Sequence, residues 1–174
     1  MTSQPFIFGF AGWSGSGKTT LAEKIIARAA QASLNIATIK HAHHHFDADQ
    51  EGKDSWRHRK AGAHQVLVAS AHRMALFTEK PKEQTPELVD LLDRLDACDW
   101  VLVEGFKKEP ITKIEIFDAT LGEPPFYKSD PNIIAVISQS PLTDCPLPVF
   151  DRDDVAGIFA FLQQRAENSG ARSQ

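Results

Sequence analysis

The sequence predicts an α/β fold in three layers, a mostly parallel sheet flanked by helices. Three observations carry that expectation. Short apolar runs such as Phe6–Ala11, Trp100–Val103 and Ile133–Ile137 have no polar alternation, as strands covered on both faces require. Segments of helical spacing lie between such runs. Residues 6–39 read as strand, glycine loop, helix and strand, a complete βαβ unit.

The elements follow in order. After the strand at Phe6–Ala11 and the loop Gly12–Gly17, Leu21, Ala22, Ile25, Ile26 and Ala29 mark a helix face. Ile36–Ile39 is the second strand. Residues 41–55 lack apolar periodicity and form a long polar loop, a class that is often functional. A short helix is expected over 56–63, capped by Asp54 or Ser55 and closed by Gly62. Gln65–Ala69 and Met74–Phe77 read as strands around a tight turn near His72 and Arg73. Thr85-Pro86-Glu87 starts a helix whose apolar face is Leu88, Leu91, Leu92 and Leu95. Lys113–Phe117 alternates with period two and is expected to be half exposed, with an edge position open to a second subunit as one reading. Residues 122–131 form a Pro/Gly loop. Asp151–Asp154 caps a last helix carrying Val155, Ile158, Phe159 and Leu162. A single domain over 1–166 with a disordered tail at 167–174 is expected.

Composition narrows the class. The 174 residues are 42% hydrophobic and 24% charged, which is globular, and the net charge of −4 gives no drive toward nucleic acid. The two cysteines, Cys98 and Cys145, stand far apart and read as reduced thiols, not a disulfide or zinc framework. No apolar run reaches the ~18 residues of a membrane span. Residues 5–13 lack the features of a signal peptide. The expectation is a soluble cytoplasmic protein with no membrane or nucleic-acid partner.

The sharpest motif is Gly12-Trp13-Ser14-Gly15-Ser16-Gly17-Lys18-Thr19, which fits G-x-x-x-x-G-K-[ST] between a strand and a helix. Glycines let successive amides converge on one anion, and the helix N-terminus adds positive potential. Lys18 is the cation for the β and γ phosphates, and the Thr19 hydroxyl is a ligand for Mg²⁺. Glu104 ends a buried strand, where a carboxylate serves the magnesium shell or orients a water. Asp99 is weaker, because it precedes that strand.

The stretch Lys40–Asp49 holds four of the seven histidines and two acids. Three readings stay open for it. One is a transition-metal site. Another is a switch-like loop in which Asp47 or Asp49 reaches Mg²⁺ or water and Lys40 or a histidine touches phosphate. The third is a solvated polar loop. The basic run Gly52–Lys60 reads as an anion-binding or a solvated helix face.

Several segments together resemble the MobB family, the molybdopterin-guanine dinucleotide biosynthesis proteins B. They are Ala11–Thr20, Ile39–His44, Asp47-Ala48-Asp49, Gly52–Ser55, Arg59–Ala63 and Leu102–Lys107, in order. The resemblance implies a GTP-binding protein of the P-loop NTPase fold with weak GTPase activity, often homodimeric. It implies an adapter role beside the molybdopterin guanylyltransferase and molybdenum-cofactor enzymes, with molybdopterin or its guanine dinucleotide as a further ligand. It places phosphate contacts on Gly15, Gly17, Lys18, Thr19 and Thr20, within the cofactor-binding segment Gly12, Trp13, Ser14, Gly15, Ser16, Gly17, Lys18, Thr19, Thr20, and magnesium-side acids on Asp49 and Glu104. In the resulting scheme Lys18 neutralises phosphate charge, Thr19 holds Mg²⁺, and Glu104 with Asp47 or Asp49 places the water. The N-K-x-D guanine motif is absent: Ser138-Gln139-Ser140 follows the strand at Ile133–Ile137, with no acid before Asp144. GTP preference therefore comes from the resemblance. The alternatives are a small-molecule kinase, a metal-delivery GTPase using the histidines, and an adapter whose hydrolysis is incidental.

Overall fold

The computed structural model describes residues 4–42, 46–80 and 86–170. Residues 1–41 with 88–174 form one compact unit, and 42–87 form a second.

The larger unit is built on a six-stranded sheet. Its strands are β1 (Phe6–Ala11), β2 (Ile36–Lys40), β5 (Trp100–Glu104), β6 (Thr112–Ile116), β7 (Ile133–Ile137) and β8 (Val149–Phe150), in the spatial order β2-β5-β1-β6-β7-β8. Every neighbouring pair is parallel. The period-two geometry of a strand explains the unbroken apolar runs. Trp100 and Leu102 join the cluster of Phe8, Leu21, Ile25, Ile158 and Leu162, whereas Val101 and Val103 join Ile39 and Leu88. Helices α1 (Lys18–Gln31) and α4 (Val155–Gly170) supply the first cluster and α3 (Leu88–Leu92) the second, which makes the three expected layers.

Two expectations for β6 are corrected. It is neither half exposed nor at an edge: it lies between β1 and β7, and both Lys113 and Glu115 are buried. Each polar side chain finds two hydrogen-bond partners. Lys113 Nζ donates to Asp130 Oδ2 at 2.8 Å and to the Lys107 carbonyl at 2.9 Å. The Glu115 carboxylate accepts from the Phe126 and Tyr127 amides, each at 2.7 Å. Burial raises the Glu115 pKa, and those two bonds oppose the rise.

Other boundaries shift. α3 stops at Leu92, and Leu95 follows in a turn where its amide donates to the Leu92 carbonyl. The expected cap at Thr85 lies outside the described residues. α4 opens as expected, with Asp154 Oδ1 accepting from the Gly157 amide at 2.9 Å. It runs through Gly170, taking in residues 167–170.

The smaller unit holds α2 (Asp54–Lys60) and an antiparallel hairpin of β3 (Gln65–Ala69) and β4 (Met74–Thr78). The turn is closed by Ser70, whose amide donates to the Arg73 carbonyl at 2.8 Å. α2 begins at Asp54 with Lys53 at the cap position and no side-chain cap bond, which corrects the capping role given to Asp54 and Ser55. The Ser55 hydroxyl donates instead to Asp49. Arg59 ties the unit together. It donates to both oxygens of Asp47 at 2.7 and 2.8 Å, to Asp49 at 3.1 Å and to Glu79 at 2.8 Å, and its guanidinium lies 5.1 Å from the Phe77 ring centre. One arginine of the basic run is therefore a structural clamp and not a free anion receptor.

Candidate functional site

Parallel pairing brings the informative strand ends level. Phe10 and Lys40 both stand opposite Glu104, on either side of β5. The loops after β1, β2 and β5 thus emerge at one carboxyl edge, where ligands of open parallel sheets bind. The turn after β5 is tight: Gly105 has φ +92°, and a Cβ there would come within 2.9 Å of the His41 backbone oxygen and Cβ. His41 also donates its amide to the Glu104 carbonyl at 2.9 Å, and its ring packs on Phe106.

The glycine loop is folded for close backbone approach. Gly12 has φ +149°, and a Cβ on it would collide at 2.6 Å with the Ile116 oxygen and with Ser16 Oγ. Gly17 is the N-cap of α1 and offers no side-chain cap, so the first amides of the helix have no capping partner from a cap side chain. Ser16 is 1% exposed, and its hydroxyl has no hydrogen-bond partner among the described residues. Lys18 Nζ folds back onto the loop and donates to the Gly12 carbonyl at 2.9 Å and the Trp13 carbonyl at 2.7 Å. Burial lowers the Lys18 pKa. Glu104 works against the shift, while Lys107 and Lys40 add to it. Lys18, Lys40 and Lys107 are thus three cations with one nearby carboxylate, a surplus of positive charge that an anionic ligand would relieve.

Glu104 is set for a further partner. One oxygen lies 3.8 Å from Lys40 Nζ, and Oε1 is buried without a hydrogen bond. An unpaired buried carboxylate oxygen of this kind fits a hard divalent cation or a held water. The Thr19 hydroxyl, in the exposed first turn of α1, is a second donor of the same chemistry.

An aromatic stack missing from the sequence reading braces the loop. Trp13 stacks on Phe126 with ring centres 4.9 Å apart, and its indole N–H donates to the Pro124 carbonyl at 2.8 Å. Lys107 Nζ lies 5.1 and 5.2 Å from the two ring centres. Buried Glu115 holds the Phe126 amide, so β6 positions the ring that supports Trp13. Period-two alternation carries no signal for this, since the partners lie in the Pro/Gly loop.

The model of the family described as molybdopterin guanine dinucleotide synthesis protein B matches residues 7–139. The chain belongs to this MobB family. It is 43% identical over 159 residues to the molybdopterin-guanine dinucleotide biosynthesis adapter protein of Escherichia coli (strain K12), covering 90% of each chain. It is 43% identical over 143 residues to the Haemophilus influenzae protein of the same name, covering 82% of this chain and 79% of that one. Among solved structures, a molybdopterin-guanine biosynthesis protein B matches with TM-score 0.74 and 26% identity, over 92% of this chain and 99% of that chain. Bacillus subtilis MobB matches with TM-score 0.72 and 32% identity, over 91% and 96%. The P-loop NTPase-like α/β fold expected from the sequence is the fold of this MobB chain.

Within this MobB chain, the described hydrogen bonds of Asp47 and Asp49 all run inside the smaller unit. The Asp47 carboxyl is held low chiefly by its Arg59 bonds, with the Asp49 amide adding. Burial pushes Asp49 up, and bonds from Ser55, Gln50 and Arg59 outweigh it. His43–His45 lie outside the described residues, and among the described residues no group of three or more His, Cys, Asp or Glu is placed to hold a metal ion. Asp99 accepts from the Asn35 amide at 2.7 Å and serves the turn before β2. No described helix is long and apolar enough to cross a membrane.

Proposed function

We propose that this chain is a GTP-binding adapter of molybdopterin-guanine dinucleotide biosynthesis with slow, Mg²⁺-dependent GTPase activity. The observation that carries the reading is the Lys18 ammonium, parked on the Gly12 and Trp13 carbonyls above a helix start without a cap side chain. The adapter role and pathway follow the names of the E. coli and H. influenzae relatives.

Lys18 exchanges its two carbonyl acceptors for β and γ phosphate oxygens, and the loop amides from Gly12 to Thr20 donate to the same chain of phosphates. Lys40 and Lys107 add charge at the edge nearest Glu104. Thr19 and Glu104 are the residues that would hold Mg²⁺, which supplies neutralisation of phosphate charge when bound. The Glu104 carboxylate accepts from a water and turns its lone pair toward the terminal phosphorus. The scheme has no arginine finger at the terminal phosphate, so turnover by the isolated protein is expected at ~10⁻⁴ to 10⁻³ s⁻¹. Single-turnover assays with GTP test this. Glu104→Gln is expected to slow hydrolysis roughly tenfold or more while nucleotide remains bound. Turnover near 10 s⁻¹ by the isolated chain, or no effect of the substitution, would contradict the assignment.

The guanylyltransferase and molybdenum-cofactor enzymes are the proposed partners, molybdopterin or its guanine dinucleotide a proposed cargo, the cytoplasm the proposed compartment, and a homodimer the proposed assembly. The hairpin supports self-association: Leu67 pairs with Leu76, and with Met74 they leave one apolar face more than half exposed. Sedimentation velocity is expected to give a dimer that Leu76→Asp converts to monomer, and a monomeric parent chain would remove this part of the reading.

A further inference from the structure

The phosphate loop has two flanks. On one side of β1 stands β5, which ends in Glu104 with Lys40 beside it. On the other side stand β6, β7 and β8. If the acid marks the terminal phosphate, the nucleoside must leave toward β6–β8. Two charged residues wait there, neither assigned by the P-loop pattern. Asp118 follows β6. Its Oδ1 accepts from the Thr120 amide at 3.0 Å and hydroxyl at 2.6 Å, and those bonds hold its carboxyl below the usual range. Arg152 follows β8 and lies outside the residues 7–139 that the family model matches.

The Arg152 guanidinium sits against the end of the loop. A Cβ built on Gly17 would lie 3.3 Å from its Nη1 and 3.6 Å from its Cζ. Its side chain is 19% exposed, and its charge partner, Asp118 Oδ2, is 3.6 Å away from Nη2. Nε and Nη2 are buried and neither has an acceptor within hydrogen-bond distance among the described residues, the long Asp118 contact of Nη2 being an ion pair that also lowers the Asp118 carboxyl. Buried guanidinium donors without acceptors are costly, and packing alone does not repay that cost. A cation held this way beside the amides of a helix start calls for an anion to complete it.

We propose that Arg152 is the nucleoside-side reader of the loop. On binding, its guanidinium turns from Asp118 and donates to the α-phosphate of a purine nucleotide whose β and γ phosphates lie on Lys18. The proposal rests on the reading of residues 12–20 as a nucleotide cradle and adds a residue for the α-phosphate, the position that pyrophosphate leaves empty. Asp118 is the resting counter-charge that Arg152 leaves.

The test is titration calorimetry on the full chain with GTP and with inorganic pyrophosphate, both with Mg²⁺. Pyrophosphate fills the two positions at Lys18. Arg152→Ala is expected to weaken GTP by about 10- to 100-fold, the worth of one or two charge-assisted bonds, and to leave pyrophosphate within about twofold. Asp118→Asn keeps an oxygen acceptor for the Thr120 amide and hydroxyl. By removing the competing pair it is expected to tighten GTP by about two- to fivefold. Equal loss of GTP and pyrophosphate in Arg152→Ala overturns the proposal and gives Arg152 a role in the loop itself. Unchanged GTP affinity in Arg152→Ala, or weakened affinity in Asp118→Asn, overturns it in favour of a structural ion pair. If the parent chain retains neither ligand, the cradle reading falls as well, and that outcome is distinct from the other two.

Discussion

Changing Lys18 to alanine is expected to weaken GTP by about 100-fold or more, because each charge-assisted hydrogen bond to phosphate contributes roughly 1.5–3 kcal/mol and the proposed binding mode gives Lys18 two of them. The fold should survive the change. The ammonium's present acceptors, the Gly12 and Trp13 carbonyls, lie on a loop also braced by Trp13 on Phe126 and by the indole bond to Pro124. Melting of the ligand-free protein should therefore shift little, while the stabilisation that GTP adds is lost. The Lys18 pKa sets a second readout. Burial holds it below an ordinary lysine's, and bound phosphate favours the charged form. GTP affinity should then fall as pH rises through that depressed value, earlier than for an ordinary lysine, and the Lys18→Ala protein should lack this alkaline limb. A variant that binds GTP as the parent does would remove Lys18 from the site.

Changing Asp130 to alanine is expected to cost about 3 kcal/mol of folding stability, because it leaves the buried Lys113 ammonium without its counter-charge. Burial alone would raise the Asp130 carboxyl. The bond from Lys113 and two from Asn132 reverse this and hold it below the usual range. By linkage, a carboxyl lowered in the folded state adds stability above its unfolded pKa and loses it as pH falls through the folded value. The parent should therefore lose stability in acid, and Asp130→Ala should lose less. At neutral pH the thermal midpoint should drop by about 6–12 °C, at ~2–4 °C per kcal/mol for a chain this size. Replacing the pair together, Lys113→Met with Asp130→Leu, should recover most of the loss, since a packed apolar pair avoids the desolvation of two charges. The effect should reach the site, because Lys113 also holds the Lys107 carbonyl in the turn after Glu104. A shift below about 2 °C would mean that water reaches Lys113 and the pair is not buried in solution.

These two variants mark what the sequence discloses. Lys18 was legible because the phosphate loop is local: glycines, lysine and hydroxyl sit at fixed offsets between a strand and a helix. The parallel sheet was legible for the same reason, since runs such as Trp100–Val103 need apolar cover on both faces. Lys113 and Glu115 were misread because alternation with Ile114 and Ile116 ordinarily marks a wet face. Here the partners that permit burial, Asp130 and the Phe126 and Tyr127 amides, lie in a Pro/Gly loop whose fold no periodicity predicts. Arg152 was hidden similarly. Its neighbours Asp151, Asp153 and Asp154 read as a helix cap, and Asp154 is one, so nothing local separated the arginine from its surroundings. Arg59 shows the converse. A basic run reads equally as an anion receptor or a solvated helix face, and for Arg59 three carboxylates from elsewhere in its own unit account for its charge.

In the proposed function the loop from Gly12 to Thr20 cradles the phosphates of a purine nucleotide. Equilibrium dialysis of the full chain against labelled GTP with Mg²⁺ tests it directly. One GTP retained per chain, displaced by GDP and lost in the Lys18→Ala protein, is the result expected. A folded chain that retains no GTP at millimolar ligand would contradict the account.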